Sequence, residues 1–313
     1  MQDHFEYVAC GICGETNARQ IYQELHDPLF DTPGSFSIVQ CLNCGLIYTN
    51  PRPTIKFLHT YYPENYPSYF NVQKDFPSKL KKVLEIIFFY PYKLRYGKKI
   101  SQRLQPSELK RCLEIGCGKG ELLYKLKELG WEVTGIEPSP IAAEIAKSLL
   151  GENRVIQGTL ESVNLPKDNY DLVILWHSLE HLNDPKGNLQ IINRSMKSGS
   201  LLRIGLPKID SVEARIFGRY WVNLDVPRHL YHFSIDTLST LLKATGYRII
   251  DTFPQVLPGT ISSSIIFLFR QKYNLSLPTI FHRMLNVSIL PIAGLIYVLG
   301  QSGNIDVWAV KET

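Results

Sequence analysis

One stretch constrains the fold of this chain more than any other. It reads RCLEIGCGKGELLYKLKELGWEVTGIEPS and runs from Arg111 to Ser139. A short apolar run leads into three closely spaced glycines, a charged helical pattern and a second apolar run that stops at Glu137. A strand, a glycine-rich turn, a helix and a second strand in this order are typical of the mononucleotide-binding half of a parallel α/β sheet. The sequence therefore predicts such a sheet, with a ligand held at the turn.

The residues that follow alternate strand and helix patterns, as a parallel sheet with crossover helices requires. Further strands are predicted at RVIQG, YDLVILW, GSLLRIGLP, RIIDTF and IDVWAV. We expect the last two to pair antiparallel at one edge of the sheet. The predicted fold class is therefore α/β, with a Rossmann-like, doubly wound, mostly parallel seven-stranded sheet and an antiparallel last strand.

The spacing of the turn, Glu114-x-Gly116-x-Gly118-x-Gly120, indicates what it binds. A dinucleotide fingerprint would place the third glycine one residue later, to bring the helix onto a pyrophosphate. An acid two residues before the first glycine suits a ligand that carries an amine better than one that carries a pyrophosphate. Glu137 follows the second strand, where a carboxylate can accept both hydroxyls of a ribose. A ribose diol with a cationic tail is the chemistry of S-adenosylmethionine.

Over about residues 109 to 251 the chain resembles the class I S-adenosylmethionine-dependent methyltransferases, and LEIGCGKG matches the first motif of that family. The resemblance implies that Gly116 and Gly118 let the backbone approach the methionine portion, that Glu114 orients it, and that Glu137 binds the ribose. Where the family often has an aspartate near the adenine amine, this chain has Thr159 and Leu160. We expect these cofactor contacts: Glu114, Gly116, Cys117, Gly118, Gly120, Glu137, Pro138, Thr159, Leu160, Trp176 and His177.

Groups that act on the methyl acceptor are expected in the loops after the fourth and fifth strands, because ligands of open α/β sheets bind at the carboxyl ends of the strands. The first loop, WHSLEHLNDP, is similar to that of small-molecule methyltransferases of the ubiquinone-biosynthesis type. It offers Glu180 and His181, and His181 is the first candidate for a general base, with support of the cofactor as the alternative. The second loop, YWVNLDVPRHLYHFS, offers His229 and His232, and Arg228 for a phosphate or sugar hydroxyls; a packed loop is the alternative.

Two Cys-x-x-Cys-Gly motifs lie near the N-terminus, at Cys10 and Cys13 and at Cys41 and Cys44. Four thiolates can close a tetrahedral zinc site with no open position, which predicts a structural zinc ion. A thioredoxin-type redox pair is the alternative for either motif alone. The arrangement resembles a zinc ribbon joined to a methyltransferase domain. Such ribbons occur in sugar methyltransferases of polysaccharide or antibiotic-sugar gene clusters and in certain ribosomal-RNA guanine methyltransferases.

Three parts are predicted along the chain: a zinc ribbon at 1–60, an aromatic and basic helical linker at 61–105, and a methyltransferase domain at 106–313. The linker contains five rings that we expect to cover the cofactor, with ordinary packing as the alternative: Tyr61, Tyr62, Tyr66, Tyr69 and Phe70. Eight basic residues and one acid lie between Lys79 and Arg103, whereas the whole chain has a formal net charge of +5. The basicity is thus one local patch, and a nucleic-acid partner is disfavoured because the rest of the chain is slightly acidic.

An apolar helical insertion is predicted at about 254–302 of the methyltransferase domain. Its run MLNVSILPIAGLIYVLG is uncharged, but a membrane span would place the strand IDVWAV across the bilayer and break the sheet. We therefore expect a buried helical hairpin, with peripheral contact at a membrane surface as the alternative. Paired thiols without a signal-peptide pattern predict a cytoplasmic protein, at the inner face of the membrane if the insertion contacts lipid.

These patterns together predict a methyltransferase that uses S-adenosylmethionine and carries a structural zinc ion. We expect its acceptor to be a small molecule or glycan, most simply a sugar in a nucleotide sugar or a glycan intermediate. An RNA methyltransferase that binds RNA through the ribbon and the basic patch is one alternative. A catalytically silent zinc-ribbon binding module is the other, and the intact turn with Glu114 and Glu137 argues against it.

Overall fold

The fold is that of a computed structural model, which describes residues 4–63, 99, 102–103, 110–255, 257 and 259–312. Within these ranges the N-terminal segment forms β1 (Phe5–Glu6), β2 (Ala18–Leu25), β3 (Phe36–Cys41), β4 (Ile47–Thr49) and β5 (Arg52–Pro53), followed by the short helix α1 (Ile55–Leu58). Strands β2, β3 and β4 form an antiparallel sheet, and β1 pairs with β5. Most of the predicted linker, with Tyr66, Tyr69, Phe70 and nearly all of the basic patch, lies outside the described residues.

The second sheet is the predicted α/β sheet, and it begins at the glycine turn. Its strands are β6 (Arg111–Ile115), β7 (Glu132–Glu137), β8 (Val155–Gln157), β9 (Tyr170–Trp176), β10 (Met196–Pro207), β12 (Tyr247–Pro254) and β13 (Asn304–Lys311). They lie in the order β12-β13-β10-β9-β6-β7-β8. Six strands are parallel and β13 alone runs antiparallel, so the predicted fold class is confirmed.

The position of β13 differs from the expectation. It lies between β10 and β12 and pairs with both, so the parallel strand β12 forms the edge of the sheet. Alternating sequences such as IDVWAV are typical of edge strands, yet the residues from Asn304 to Ala309 are buried. The charged residue among them, Asp306, is satisfied inside the sheet by the buried Arg203, whose Nη2 lies 2.8 Å from its Oδ2. Alternation therefore reflected internal ion pairing instead of exposure.

Helices cover both faces of this sheet, as the doubly wound fold requires. They are α2 (Glu121–Glu128), α3 (Pro140–Leu150), α4 (Pro185–Ser195), α5 (Val212–Phe217) and α6 (Ile235–Ala244). Leucines of α2 and alanines of α3 pack in one apolar cluster, and α4 and α6 contribute to another across the sheet. Ser234 caps the N-terminus of α6, since its hydroxyl accepts the N–H of Thr237.

One short strand from the loop after β10 belongs to the N-terminal sheet. Strand β11 (Tyr231–His232) pairs antiparallel with β4, opposite Tyr48 and Ile47. The Thr49 hydroxyl also donates to the carbonyl of His229, at 2.8 Å. The loop that follows β10 is therefore held by the cysteine-bearing sheet as well as by its own domain.

The insertion between β12 and β13 forms three helices, α7 (Gly259–Tyr273), α8 (Thr279–Ser288) and α9 (Leu290–Val298). It differs from the buried hairpin expected, because only part of its apolar surface is covered. The following large apolar side chains are exposed: Tyr273, Leu275, Ile280, Phe281, Met284, Ile292, Leu295 and Leu299. No single described helix is long and apolar enough to cross a membrane; α8 and α9 reach that composition only together, with a bend of 42°.

Candidate active site

A cavity of about 1240 Å³ opens at the carboxyl ends of the parallel strands. The glycine turn and the end of β7 line one end of it, and His181, His229 and Asn223 line the other. Tyr62 and residues of α1 border it from the described N-terminal residues 4–63, here called the N-terminal unit. Gly259 and Thr260 border it from the insertion. All three parts of the described chain thus contribute to one site.

The backbone of the glycine turn takes conformations that favour glycine at each of its three positions. Gly116, Gly118 and Gly120 have φ values of 69°, 53° and 77°. A Cβ atom at Gly116 would lie 2.6 Å from the Ser178 hydroxyl oxygen, so the bare backbone forms a cradle there. Gly120 differs from its predicted role, since it is absent from the cavity wall and a Cβ there would meet Leu150 of α3. Its function is close packing of two helices.

Two buried carboxylates lie beside the turn. Glu114 is 3% exposed, and its Oε2 has no hydrogen-bond partner among the residues that the structure describes. Burial raises the pKa of this carboxyl group to about 8. Glu137 accepts the N–H of Gly118 and the N–H of Ser139, each at 2.8 Å, and burial raises its pKa as well. One carboxylate therefore lacks a donor, and the other is oriented by the turn itself.

These features fit S-adenosylmethionine. The unpartnered Oε2 of Glu114 can accept an ammonium group, and the cradle at Gly116 leaves room for a chain to pass close to the backbone. Glu137 retains lone pairs for ribose hydroxyls after its two backbone bonds. The other predicted contacts that line the cavity are Cys117, Pro138, Thr159, Leu160, Trp176 and His177.

At the far end of the cavity, Glu180, His181 and His229 form a cluster. One carboxylate oxygen of Glu180 and one ring nitrogen of each histidine lie within 4.8 Å of one another. The two rings meet edge to face, with centroids 4.7 Å apart. Burial and the neighbouring His229 lower the pKa of His181 to about 4, so its ring is neutral near pH 7. A neutral imidazole in this position can accept a proton or bind a Lewis acid.

The carboxylate of Glu180 lies behind the histidines and is 1% exposed. Burial opposes its ionisation, but the proximity of His177 and His181 outweighs that effect and holds the pKa of Glu180 at about 2. The nearest nitrogen is Nδ1 of His177, 3.4 Å from Oε1. Burial lowers the pKa of His177, and Glu180 more than offsets it, so that pKa is raised.

Comparison with known proteins agrees with this geometry. A family model described as a methyltransferase domain matches residues 89–252. The chain belongs to this methyltransferase family. The class I fold and the enzyme class predicted from the turn are thereby confirmed.

Relatives of the methyltransferase domain are distant and partial. A mitochondrial ubiquinone biosynthesis O-methyltransferase of Schizosaccharomyces pombe is 34% identical over 100 residues, which is 30% of this chain and 36% of that protein. A ubiquinone biosynthesis O-methyltransferase of Cereibacter sphaeroides is 28% identical over 158 residues, 47% of this chain and 63% of that protein. In both, the alignment spans less than two thirds of the relative. A solved structure of a SAM-dependent methyltransferase from Archaeoglobus fulgidus is 21% identical, covers 74% of this chain and 99% of its own, and has a TM-score of 0.47.

Two residues of the loop after β10 differ from their predicted roles in the methyltransferase. His232 does not line the cavity: it is buried in β11, with Nε2 3.5 Å from the Thr49 hydroxyl, and burial lowers its pKa to about 3. Arg228 is fully buried, and its Nη1 donates to Asp27 at 2.8 Å and to the carbonyl of Tyr61 at 3.1 Å. Arg228 therefore joins the loop to the N-terminal unit and cannot bind a phosphate in the cavity.

Sequence reasoning missed Arg203, which lines the cofactor end of the cavity. Its guanidinium lies 4.5 Å from the ring centroid of Trp176 and 5.0 Å from that of Trp308. A single charged residue within the apolar run of β10 was the available signal. Tyr62, one of the rings expected to cover the cofactor, lies instead near the acceptor end, with its hydroxyl 3.0 Å from Nδ1 of His181.

The four cysteines of the two motifs gather at one end of the N-terminal sheet. Sγ of Cys10 lies 3.4 Å from that of Cys44, and Sγ of Cys13 lies 3.6 Å from that of Cys41. Tetrahedral zinc with bonds of about 2.3 Å requires sulfurs about 3.8 Å apart, close to these distances. The glycine after each motif takes a positive φ, 75° and 78°, as the backbone turn between paired cysteines requires.

Proposed function

We propose that this protein transfers a methyl group from S-adenosylmethionine to a hydroxyl of a small sugar-containing acceptor. The observation that carries the proposal is the continuity of the cavity from Glu114 and Glu137 to His181 and His229. S-adenosylmethionine supplies an electrophilic methyl group on a sulfonium. The cavity can hold it at the turn and an acceptor against the histidines, as in-line displacement requires.

Residues at one end of the cavity would bind the cofactor, and residues at the other end would bind the methyl acceptor. Glu114 binds the amino group and Glu137 the ribose hydroxyls, so the cofactor is fixed at two points. The acceptor rests on the cluster of Glu180, His181 and His229, which activates its hydroxyl. Helix α1 and the insertion border the cavity and help to exclude water.

A hydroxylated acceptor is supported by uncharged polar side chains in the cavity wall, which include Asn183, Asn223, Thr260, Ser263 and Asn304. The two relatives named above as O-methyltransferases support transfer to oxygen. The exposed apolar side chains of α8 and α9 support a lipid-linked form of the acceptor that the protein meets at a membrane surface.

Transfer of labelled methyl from S-adenosylmethionine into separated fractions of a cell extract tests this proposal. Label in nucleotide sugars or in lipid-linked glycans is the expected result, and the choice between them decides whether the acceptor is membrane-bound. Label in RNA alone would contradict the sugar acceptor. Bound cofactor with no label in any fraction would contradict transfer to these acceptors.

His181→Ala should lower turnover by about 10²–10⁴, the usual contribution of a positioned proton-transfer group. The matched control is His26→Ala, because His26 is exposed and lies outside the cavity wall. Steady-state methyl transfer at saturating cofactor measures both. Unchanged turnover in His181→Ala would move the role to His229.

We further propose that Cys10, Cys13, Cys41 and Cys44 hold one structural zinc ion. The sulfur separations and the two left-handed glycines support this set of ligands. Because four thiolates fill a tetrahedron, the ion would stabilise the N-terminal sheet and take no part in the chemistry.

A further inference from the structure

The cluster of Glu180, His181 and His229 lies at the end of the cavity where the methyl acceptor would bind. It contains hydrogen-bond acceptors but lacks donors for them. Neither Oε1 nor Oε2 of Glu180 accepts a hydrogen bond from any residue that the structure describes, although the side chain is almost fully buried. Leaving such a group unpartnered is costly in a native structure. His177 approaches one oxygen only, and its Nδ1 lies 3.4 Å away, outside hydrogen-bond geometry. The other oxygen, Oε2, remains without a partner.

The hydrogen bonds of the two histidines determine which of their nitrogens is free. Nδ1 of His181 lies 3.0 Å from the carbonyl oxygen of Arg228, and Nδ1 of His229 lies 2.8 Å from that of Asn223. A carbonyl oxygen can only accept, so each Nδ1 carries the proton and each Nε2 keeps a lone pair. The hydroxyl of Tyr62, also 3.0 Å from Nδ1 of His181, is compatible because a phenol oxygen can accept too.

This pattern is the one found around metal-binding histidines, which donate their other N–H to a backbone carbonyl or a carboxylate. Two imidazole lone pairs and one carboxylate are also the ligands of many open metal sites, in which further positions are left for water or substrate. Asp225 adds negative charge, with Oδ2 3.7 Å from Nε2 of His229, while Arg228 occupies its other contacts. Arg228 thus balances the charge of Asp225. Among the residues that the structure describes, only His177 forms an ion-pair contact with Glu180.

We propose that Glu180, His181 and His229 bind a divalent transition-metal ion, distinct from the ion at the four cysteines. The proposal rests on the proposed function only for the purpose of the ion. His181 and His229 line the cavity, so the remaining positions of the ion face the acceptor and hold its hydroxyl oxygen. His181 and His229 would then act as ligands of the ion, which would lower the pKa of the bound hydroxyl so that its proton could pass to water. The loss of turnover expected for His181→Ala would in that case come from loss of the ion.

The test is the zinc content of the full-length protein after equilibration with Zn²⁺ and dialysis. We expect two ions per chain in the wild type. Cys13→Ser should retain one, and Glu180→Gln should also retain one, because the amide keeps the shape but loses the charge. The matched control is Glu213→Gln, a buried carboxyl whose oxygens are already bonded to the Thr260 hydroxyl and the Gly303 N–H. It should retain two.

A single ion in the wild type, or two ions in Glu180→Gln, would overturn the proposal. Calorimetric titration of Zn²⁺ into wild-type protein that already holds zinc at the cysteines needs no variant, and a second one-to-one binding event is expected; its absence would also overturn the proposal. Methyl transfer measured on the same samples separates the two proposals. Transfer by a wild-type protein that holds one ion would overturn the second ion alone, and a wild-type protein with two ions and no transfer would overturn the function alone.

Discussion

The two ends of the cavity are built in different ways. The two carboxylates of the cofactor end come from one contiguous stretch, Glu114 to Glu137, in which a strand, a turn and a second strand place them. The acceptor end comes from separate segments: Tyr62 from the N-terminal unit, Glu180 and His181 after β9, and His229 from the loop after β10. A local backbone conformation fixes the first end, whereas long-range contacts fix the second. Cofactor binding should therefore be lost through changes to the backbone of the turn itself. Activity at the acceptor end should be lost through changes to residues that lie far from that end.

The largest effect is expected at the turn, for Gly116→Val. A β-branched residue is strongly disfavoured at a φ of 69°, and its side chain would fill the cradle beside Ser178. Binding of S-adenosylmethionine, measured by calorimetry, should fall below detection while zinc content is unchanged. Gly199→Val is the matched control, since Gly199 has a φ of 71° with nothing within 4 Å of an added Cβ. Equal loss of binding in both variants would mean that strain alone, and not the cradle, explains the result.

The next effect is expected from loss of zinc through Cys41→Ser. The cysteine-bearing sheet holds β11, and Thr49 of β4 donates to the carbonyl of His229. Release of that sheet should lower turnover by about 100-fold, the loss that a misplacement of about 1 Å can cause. Cofactor affinity, measured on the same protein, should change far less because none of the four cysteines lines the cavity. If cofactor affinity fell as much as turnover, the two ends would not be independent.

Glu114 should give the cofactor end a bell-shaped pH dependence. Its carboxyl keeps a proton up to a pKa of about 8, whereas binding of an ammonium group requires the carboxylate. Affinity for S-adenosylmethionine should rise about tenfold per pH unit up to about pH 8 and fall above it, where an α-amino group with a pKa of about 8 loses its proton. Calorimetry across pH 6 to 10 measures both limbs.

Glu114→Gln supplies the control for that profile. It should bind weakly and lose the rise below pH 8, because no carboxyl remains to titrate. In the wild type without cofactor, the free energy of unfolding should change with pH in the opposite sense to cofactor affinity. The folded state holds the Glu114 proton up to about pH 8 and the unfolded chain releases it near 4.5, so stability falls as pH rises across that window. A flat affinity profile in the wild type would show that this carboxylate does not bind the amine.

The same contrast explains which parts could be predicted from sequence. The strand–turn–helix order around Gly116 and the paired cysteines depend on residues close in the chain, and both predictions agree with the structure. Gly120 packs under Leu150 and lies outside the cavity wall, and spacing does not distinguish such a glycine from one that approaches a ligand. His232 lies outside the cavity wall because pairing of β11 with β4, distant in sequence, turns its side chain into the core.

Long-range pairing also explains the error at β13. Its alternating pattern is common in edge strands, and only the tertiary structure shows that Arg203 of β10 satisfies Asp306 internally. The cluster at Glu180 was predicted as a set of candidate residues, but its hydrogen-bonding was not. The carbonyls of Arg228 and Asn223 that orient the two rings are backbone atoms, and no side-chain pattern reports them.

The smallest effect is expected where the cofactor end departs from its family, at Thr159. A backbone bond fixes this position, since its N–H donates to the Ser162 hydroxyl at 3.1 Å. If the backbone makes the contact with the adenine, Thr159→Val, which keeps the shape and removes the hydroxyl, should change cofactor affinity by less than about twofold, because no bond to the cofactor is lost. A hydroxyl that did bind the adenine would contribute one net hydrogen bond, ~1 kcal/mol or about fivefold in affinity. Calorimetry at pH 8 measures this change. A fivefold or larger loss would show that the hydroxyl itself binds the adenine, so that a side chain takes the place of the aspartate that the family often has there.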